Sequence, residues 1–394
     1  MKTSSFSSIS DENEREGRQS RRNALRDSKR TVIKIGSAVL TGPDGPDLRV
    51  MNRLADQISA LHDKGMEVIL VSSGAVAAGR KTIPCPGTDR NLPASQAFSA
   101  VGQSRLMHIY DEAFERYGKI TAQVLLTRDD LKSRQRFLNA RNTFASLLKW
   151  RVIPIVNEND TVAVQELKFG DNDALASQIL NLVEADLFIN LTSEEGVFDS
   201  NPQINPNANL LKSISNIDRI DLESLCSGKT KEGTGGMYSK LLSARRAAQL
   251  GVPTLILSGK IPFGLEKAFS GQILGTWIMA EKKAISRKKF WMAYQQDPAG
   301  AIVIDEGAAR ALVSGKKSLL PAGILDVQGK FGAGALIRIR DGQGNEIGVG
   351  LSNYRASELR RIKGRKSDEI KDVLGHCMYP EAIHRDNLLL DAAV

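Results

Sequence analysis

The stretch Glu67-Val68-Ile69-Leu70-Val71-Ser72-Ser73-Gly74-Ala75 decides the fold of this chain. After Glu67 its first part is continuously apolar, which is typical of a strand that is buried on both faces. Ser72-Ser73-Gly74 ends the strand, and a helix begins near Ala75. The hydroxyls and backbone N–H groups of this turn can bind a carboxylate or phosphate, although a serine here can equally be an ordinary N-cap. The stretch therefore predicts one strand–loop–helix unit of a parallel sheet.

Similar strand and helix patterns alternate over most of the chain. Because the predicted strands have no polar side, helices must cover both faces of their sheet. In such sheets a ligand binds at the carboxyl ends of the strands. We therefore predict an α/β fold, a three-layer sandwich with a mainly parallel sheet. The predicted strands are 31–35, 67–71, 120–126, 152–156, 187–191 and 254–257, and the predicted helices are 50–61, 93–117, 137–149, 174–183 and 240–250.

The C-terminal part has shorter segments and many glycines. Closely spaced short strands with a single helix among them indicate a small β-barrel. The predicted strands are 300–304, 323–327, 335–339 and 348–351, and the predicted helix is 306–313. These changes along the chain predict a disordered N-terminal extension at 1–28, an α/β domain at 29–280, a linker at 281–296, a β-barrel domain at 297–380 and a tail at 381–394.

Composition restricts the class of function. The chain has 394 residues, 41% of them hydrophobic, and a net charge of +9, so it can bury a sizeable core and favours anionic ligands. It contains no apolar run long enough to span a membrane. The three cysteines form no CxxC pair and the four histidines show no metal-ligand spacing, so we predict a reducing, cytoplasmic location and no metal site built by the protein. Segment 1–28 lacks the apolar core of a secretion signal, and its acidic residues argue against a transit peptide.

A glycine-rich stretch, Gly233-Thr234-Gly235-Gly236-Met237-Tyr238-Ser239-Lys240, precedes a predicted helix. Its glycines let successive backbone N–H groups converge on an anion, Thr234 adds a hydroxyl donor, and Lys240 adds a positive charge. The N-terminus of the helix would face the same anion. The order of residues differs from that of a P-loop. We interpret the stretch as a nucleotide-phosphate site, with a glycine-rich surface loop as the alternative.

Lys34 is a charged residue inside an apolar strand. Burial of a charge is costly unless an opposite charge is near, and a transferring phosphate would supply one; the alternative is that Lys34 extends to solvent at a sheet edge. Lys34 and Lys240 together would suit phosphoryl transfer, in which catalysis depends on positioning and charge neutralisation. Thr192 and Ser193 follow another predicted strand, where they either contact a nucleotide or form an ordinary turn.

Two dense clusters of acids and amides, 157–160 and 170–173, lie in a polar part of the sequence. Carboxylate and amide groups suit an ammonium group or hydrated Mg²⁺ better than they suit an apolar core. Both clusters would lie at the ligand edge of the sheet. The alternative is a solvated loop in which Asp173 caps the following helix.

A basic run lies beside the predicted barrel. Such a run can bind RNA phosphates. Few aromatic residues accompany it, which weakens an argument for stacking on single strands. A solvated charged face is the commoner explanation, and RNA binding is the weaker alternative. The residues are Arg355, Arg360, Arg361, Lys363, Arg365 and Lys366.

Taken together, these motifs closely resemble the glutamate 5-kinase family of the amino acid kinase superfamily. The strand Val-Ile-Lys34-Ile-Gly-Ser is one of the matching stretches, and the similarity extends from about residue 30 to the end. The C-terminal part resembles the PUA domain that this family often carries. The matching stretches are 32–37, 71–80, 125–128, 136–141, 154–160, 169–173 and 233–237, and in the C-terminal part 304–308, 318–323 and 354–362.

The resemblance implies an amino acid kinase fold and ATP-dependent phosphorylation of the γ-carboxylate of L-glutamate to L-glutamyl 5-phosphate, the first step of proline biosynthesis. It implies that Lys34 and Lys240 grip the transferred phosphoryl group and that Asp173 orients both lysines. The substrate carboxylate is ionised at neutral pH, so no general base is needed. By the same resemblance Ser73, Asp160 and Asn172 bind glutamate, and Lys34, Thr192, Ser193, Thr234, Gly235, Gly236, Met237, Tyr238, Ser239 and Lys240 line the ATP site.

The resemblance also implies Mg²⁺ bound through the ATP phosphates, feedback inhibition by proline, and a homo-oligomer. Three positions depart from the family pattern: Ser193 replaces the usual Asp, Phe198 a common Tyr, and Tyr238 a small hydroxyl residue. All three lie on the nucleotide side, so they bear on ATP affinity and nucleotide preference rather than on glutamate. The alternatives are another acyl-phosphate kinase, acting for example on acetylglutamate or aspartate, and an RNA-binding protein whose barrel carries the function.

Overall fold

A computed structural model describes residues 4–43, 45–83, 91–163, 172–202, 204–226, 236–294, 297–315 and 317–390, with side chains from residue 14 onward. The chain divides into two compact units, Met1–Ile285 and Ser286–Val394. In the first unit the helices are α1 (Ser4–Asp27), α2 (Ser37–Leu40), α3 (Leu48–Asp63), α4 (Ala75–Thr82), α5 (Leu92–Glu115), α6 (Arg128–Lys132), α7 (Arg134–Lys149), α8 (Asn172–Val183), α9 (Leu222–Leu225), α10 (Met237–Gln249) and α11 (Gly264–Phe269). The strands are β1 (Arg30–Ile35), β2 (Thr41–Gly42), β3 (Gly45–Pro46), β4 (Glu67–Val71), β5 (Thr121–Leu126), β6 (Ile153–Glu158), β7 (Leu187–Thr192), β8 (Ser213–Ile214), β9 (Thr254–Ser258) and β10 (Thr276–Ile278).

Eight strands of the first unit form one sheet in the order β5-β6-β4-β1-β7-β9-β10-β8. All neighbours from β5 to β9 are parallel, whereas β10 runs antiparallel to β9. Lys34 lies opposite Val71 of β4 and Asn190 of β7. The predicted mainly parallel sheet is confirmed. The alternative that Lys34 reaches solvent at a sheet edge is wrong, because β1 is central and Lys34 is 4% exposed.

Helices cover both faces of this sheet. Successive side chains of a strand point to opposite faces, so each strand contributes to two cores. On one face, Ile33 and Ile35 of β1 pack in a core with Leu54 of α3. On the other, Leu241 of α10 packs with Ile256 of β9, and α8 packs against β1, β4 and β6. The predicted three-layer arrangement is therefore confirmed. Among the described residues, no helix combines the length and apolar character that a membrane crossing requires.

The helices α3 and α5 begin at side chains that satisfy their first N–H groups. Asp47 accepts hydrogen bonds from the backbone N–H groups of Arg49 and Val50, and Asn91 accepts one from that of Ala94. A helix leaves these N–H groups without partners inside the helix, so such caps determine where it begins. Both helices consequently begin slightly before the predicted positions.

The N-terminal segment that was predicted to be disordered instead contains helix α1. Gly17, Arg21 and Leu25 are buried at a spacing of four residues, which places them on one helix face. The helix packs against β8 and β10. The prediction of disorder was wrong because only one of these three buried residues is a large apolar one, so the sequence carries little helical hydrophobic pattern.

Gly17→Ala is expected to weaken the packing of α1 on the sheet. An added Cβ would lie 2.6 Å from Ser213 Oγ and 2.7 Å from Ser213 Cβ, so rotation of the hydroxyl cannot relieve the clash. Overpacking of this kind costs about 1–3 kcal/mol, against a gain of about 1 kcal/mol from replacing glycine in a helix. Limited trypsin digestion within α1 should therefore be faster than in the wild type. Gln19→Ala, at an exposed position of the same helix, is the control; equal digestion of both variants would contradict the prediction.

The second unit contains a five-stranded sheet in the order β12-β11-β13-β14-β15, in which only the β11–β13 pair is parallel. Ile302, Ile337 and Ile339 of this sheet share a core with Leu359. The predicted C-terminal β-domain is confirmed. The strands are β11 (Gly300–Ile304), β12 (Ile324–Gly329), β13 (Leu336–Arg340), β14 (Glu346–Leu351) and β15 (Leu388–Leu390), and the helices are α12 (Arg287–Tyr294), α13 (Glu306–Val313), α14 (Ala356–Ile362) and α15 (Ile370–Leu374).

Two segments predicted to lie outside the domains are part of the second unit. Helix α12 lies in the predicted linker, its Phe290 and Met292 are buried, and it packs against β14 and β15. Strand β15 lies in the predicted tail and pairs with β14, with Leu388 opposite Gly350. Both segments are short and flanked by charged residues, which concealed their apolar faces in the sequence.

Candidate active site

Asp173, in the first turn of α8, lies between the ammonium groups of Lys34 and Lys240. Lys34 Nζ is 2.5 Å from Asp173 Oδ1, and Lys240 Nζ is 3.3 Å from Asp173 Oδ2. The side chains are 6%, 9% and 0% exposed for Lys34, Lys240 and Asp173. Lys34 belongs to the central strand β1 and Lys240 to the first turn of α10. Three candidate residues that are far apart in the sequence are thus brought to one point.

Two neutral side chains also donate hydrogen bonds to Asp173. Ser239 Oγ donates to Oδ2 at 2.8 Å, and Asn190 Nδ2 donates to Oδ1 at 3.0 Å. Asn190 is fully buried on β7, directly opposite Lys34. Each carboxylate oxygen therefore meets one ammonium group and one neutral donor, which fixes the plane of the carboxylate.

The carboxyl group of Asp173 is ionised at neutral pH. Burial alone would raise its pKa, but the charges of Lys34 and Lys240, together with hydrogen bonds from Lys34 and Ser239, lower the pKa to about 2. Charges attract each other more strongly in a buried site than in water. The carboxylate consequently holds both lysines in place by charge as well as by hydrogen bonds.

A network of amides joins the ends of β4 and β6 beside the lysines. Asn172 Nδ2 donates to Ser73 Oγ at 3.0 Å and to Asn157 Oδ1 at 2.8 Å. Asn157 Nδ2 in turn donates to Gln103 Oε1 at 2.7 Å. Since Asn172 immediately precedes Asp173, the amide network adjoins the lysine pair. Two of the three predicted glutamate-binding residues, Ser73 and Asn172, are therefore in direct contact.

The third predicted glutamate-binding residue, Asp160, lies in the loop that follows β6. Its Oδ2 accepts a hydrogen bond from Ser99 Oγ of α5 at 2.6 Å. This contact attaches the loop to α5 at the carboxyl edge of the sheet. The first acid-amide cluster is thus at the predicted edge.

Apart from Lys34 on β1, the predicted ATP-binding residues in the described part of the chain lie at the end of β7 or at the beginning of α10. Thr192 ends β7, is buried, and its carbonyl accepts a hydrogen bond from the N–H of Gly259. The carbonyl of Ser193 accepts one from Ser258 Oγ at 3.4 Å. Gly236, Met237, Tyr238, Ser239 and Lys240 form the cap and first turn of α10, with Tyr238 42% exposed.

Five positions of the predicted second cluster and glycine-rich stretch lie outside the described residues: Gly170, Asp171, Gly233, Thr234 and Gly235. Among the described residues, no group of three or more His, Cys, Asp and Glu side chains could hold a metal ion. Sequence reasoning missed Asn190 and Gln103. Asn190 interrupts the apolar run 187–191, which was a usable signal, whereas nothing distinguished Gln103 within its helix.

A family model described as the amino acid kinase family matches residues 29–258, more than half of the chain. The chain belongs to the amino acid kinase family. The PUA domain model matches residues 300–374 of this amino acid kinase. Among curated relatives, glutamate 5-kinase of Maridesulfovibrio salexigens is 61% identical and covers 94% of this chain and 98% of its own. The glutamate 5-kinases of Nitratidesulfovibrio vulgaris and Geobacter sulfurreducens are 59% and 48% identical, covering 94% and 92% of this chain and 98% and 97% of their own. The family resemblance inferred from the sequence is confirmed.

Proposed function

We propose that this amino acid kinase transfers the γ-phosphoryl group of ATP to the γ-carboxylate of L-glutamate. The product is L-glutamyl 5-phosphate, the first intermediate of proline biosynthesis. The observation that carries the proposal is the pair of buried lysines, Lys34 and Lys240, held by Asp173 next to the Asn172–Ser73 contact. Relatives named glutamate 5-kinase, up to 61% identical over almost the whole chain, support the choice of substrate.

In the proposed mechanism the lysines reduce the repulsion between two anions. A carboxylate oxygen of glutamate forms a bond to the γ-phosphorus while the bond to the β,γ-bridging oxygen breaks, and ADP leaves. Lys34 and Lys240 stabilise the negative charge of the transferred group, and Asp173 keeps both ammonium groups in position. The nucleophile is already ionised at neutral pH, so the protein has no proton to remove.

We assign the glutamate site to Ser73, Asp160 and Asn172. The carboxylate of Asp160 suits the α-ammonium group of an amino acid, and the hydroxyl of Ser73 and the amide of Asn172 suit its carboxylates. Asn172 is next to Asp173 in the chain, which would bring the γ-carboxylate towards the lysines.

We assign the nucleotide side to the end of β7 and the beginning of α10, that is, to Thr192, Ser193 and residues 234–240. The helix N-terminus presents backbone N–H groups that suit phosphates. By the family resemblance, Mg²⁺ is expected to be bound through the ATP phosphates, as the MgATP substrate. Ser193 and Tyr238 are expected to affect nucleotide affinity rather than glutamate affinity.

The proposal is tested by supplying MgATP with glutamate, acetylglutamate or aspartate and trapping the product with hydroxylamine, which reacts with acyl phosphates. Release of ADP is measured in parallel, because it also detects transfer to an acceptor that is not a carboxylate. Glutamate is expected to give both hydroxamate and ADP. Reaction with acetylglutamate or aspartate but not with glutamate would assign the enzyme to another acyl-phosphate kinase. Adding proline to the same assay tests the proposed feedback inhibition.

Asn172→Ala is expected to raise the KM for glutamate about tenfold or more, with a much smaller effect on the KM for ATP. A hydrogen bond to a charged group contributes about 1.5–3 kcal/mol, which is the basis of this magnitude. Initial rates over both substrate concentrations give the two KM values. Asn142→Ala, at an exposed position of α7, is the matched control. Equal increases in both KM values would show that Asn172 is not part of the glutamate site.

The alternative RNA-binding function has less support from the C-terminal unit. Arg360 donates hydrogen bonds to the carbonyls of Val327 and Gly329. Arg361 donates one to the carbonyl of Val373, and Lys363 forms an ion pair with Asp326 at 3.5 Å. Half of the basic run thus contacts its own domain.

We propose that the chain acts as a cytoplasmic homo-oligomeric enzyme, for which light scattering would give the oligomeric state.

A further inference from the structure

A small cavity lies between α1 and the part of the sheet formed by β8 and β10. The buried face of α1 forms one wall, and residues at β8 and β10 form the other. Its lining includes three cations, one carboxylate, one hydroxyl and one indole ring. These residues are Glu14, Arg18, Arg21, Lys212, Ser213 and Trp277.

Arg21 is the buried cation of this cavity. It is 5% exposed, and its Nη2 donates a hydrogen bond to the carbonyl of Gln272 at 3.1 Å. Its Nη1 is buried and has no hydrogen-bond partner in the described chain. Burial lowers the pKa of Arg21 to about 10, so the guanidinium is still charged at neutral pH. A buried charged donor without a partner is unfavourable and is rare in folded proteins.

Among the described side chains that line the cavity, Glu14 is the one carboxylate. Glu14 is already paired with Arg18 at 2.9 Å. Lys212, on the opposite wall, forms no ion pair with any carboxylate in the described ranges. The lining therefore combines a buried cation, Arg21, with the exposed side chain of Lys212.

We propose that this cavity is a binding site for a small monovalent anion of halide size, which Arg21 Nη1 binds from the side of α1 and Lys212 attracts from the side of the sheet. The space in the cavity is close to that of one water molecule, which excludes a phosphate; a halide is only slightly larger, and the exposed side chain of Lys212 can move to admit it. A water molecule would accept a hydrogen bond from Arg21 Nη1, but it would not neutralise the charge of the guanidinium group. Because the walls belong to α1 and to the sheet edge, the bound ion would hold the N-terminal helix on the catalytic unit.

The first test is the thermal stability of the full chain in sodium chloride and in sodium gluconate at equal ionic strength. Gluconate is too large for the cavity, so chloride is expected to raise Tm relative to gluconate. Arg21→Met, which keeps the aliphatic stem, should lose this difference, and Lys212→Gln should reduce it. Arg49→Gln, an exposed arginine on α3, should retain it. An equal chloride effect in wild type and Lys212→Gln would overturn the proposal, including in the case that Arg21→Met does not fold.

The second test uses crystals of the wild-type protein grown in sodium bromide. An anomalous difference peak within hydrogen-bond distance of Arg21 Nη1 is expected. Absence of a peak in the cavity, with ordered density for Arg21, would overturn the proposal. Neither readout depends on kinase activity.

Discussion

Asp173→Asn is expected to lower kcat about 100-fold or more. The asparagine has nearly the same size, but it removes the charge that holds Lys34 and Lys240 and turns an N–H group towards one of them. Displacement of a catalytic group by about 1 Å is enough for a loss of this size. The KM for glutamate should change much less, because the carboxylate contacts the lysines rather than the amino acid.

Steady-state kinetics with a circular dichroism control at the assay temperature would measure the effect of Asp173→Asn. Asp129→Asn makes the same chemical change at a side chain that is 79% exposed, and it should retain wild-type kcat. A folded Asp173→Asn enzyme with kcat close to that of the wild type would show that charge at this position does not position the lysines.

The same substitution should change how stability depends on pH. The pKa of Asp173 is about 2 in the folded protein and about 3.9 in an unfolded chain, so ionised Asp173 stabilises the fold above pH 4 and this contribution is lost as pH falls towards 2. Asp173→Asn should therefore have a lower urea midpoint at neutral pH, and the difference from the wild type should shrink in acid. A difference that stays constant between pH 2 and pH 7 would contradict this account.

Much of the α/β unit could be predicted from local patterns because its strands are buried on both faces. A cation within such a strand, Lys34, and an acid at the start of a helix, Asp173, stood out against these patterns. What local patterns do not contain is the strand order, which places β1 between β4 and β7 and so brings Lys34, Asp173 and Lys240 together. The proximity of the lysines was a hypothesis that only the folded chain could test.

The features that the sequence analysis missed or predicted wrongly also depend on contacts between distant parts of the chain. The face of α1 that packs on the sheet contains Gly17 and Arg21, which no hydrophobic pattern detects. Strand β10 was not predicted, because three residues, Thr276–Ile278, are too few to show a strand pattern. Asn190 was treated as part of an apolar strand, although its amide donates to Asp173. In each case a residue that looks ordinary in the sequence acquires its role from a distant partner.

Lys240→Ala is expected to lower kcat about 100- to 1,000-fold, the range seen when one preorganised donor to a developing charge is removed. The KM for glutamate should change far less, since an interaction that strengthens during transfer contributes to the transition state rather than to substrate binding. Lys149→Ala, at an exposed position of α7, is the matched control.

The kinetic split between kcat and KM separates this role from a purely structural one. Removal of Lys240 also takes away one of the two cations beside Asp173, so the variant should be less stable near neutral pH. Loss of stability alone would reduce the amount of active enzyme and lower the apparent kcat only by the unfolded fraction, which circular dichroism measures. A folded variant with unchanged kcat would leave Lys240 as a structural partner of Asp173 and assign the stabilisation of the transferred phosphoryl group to Lys34.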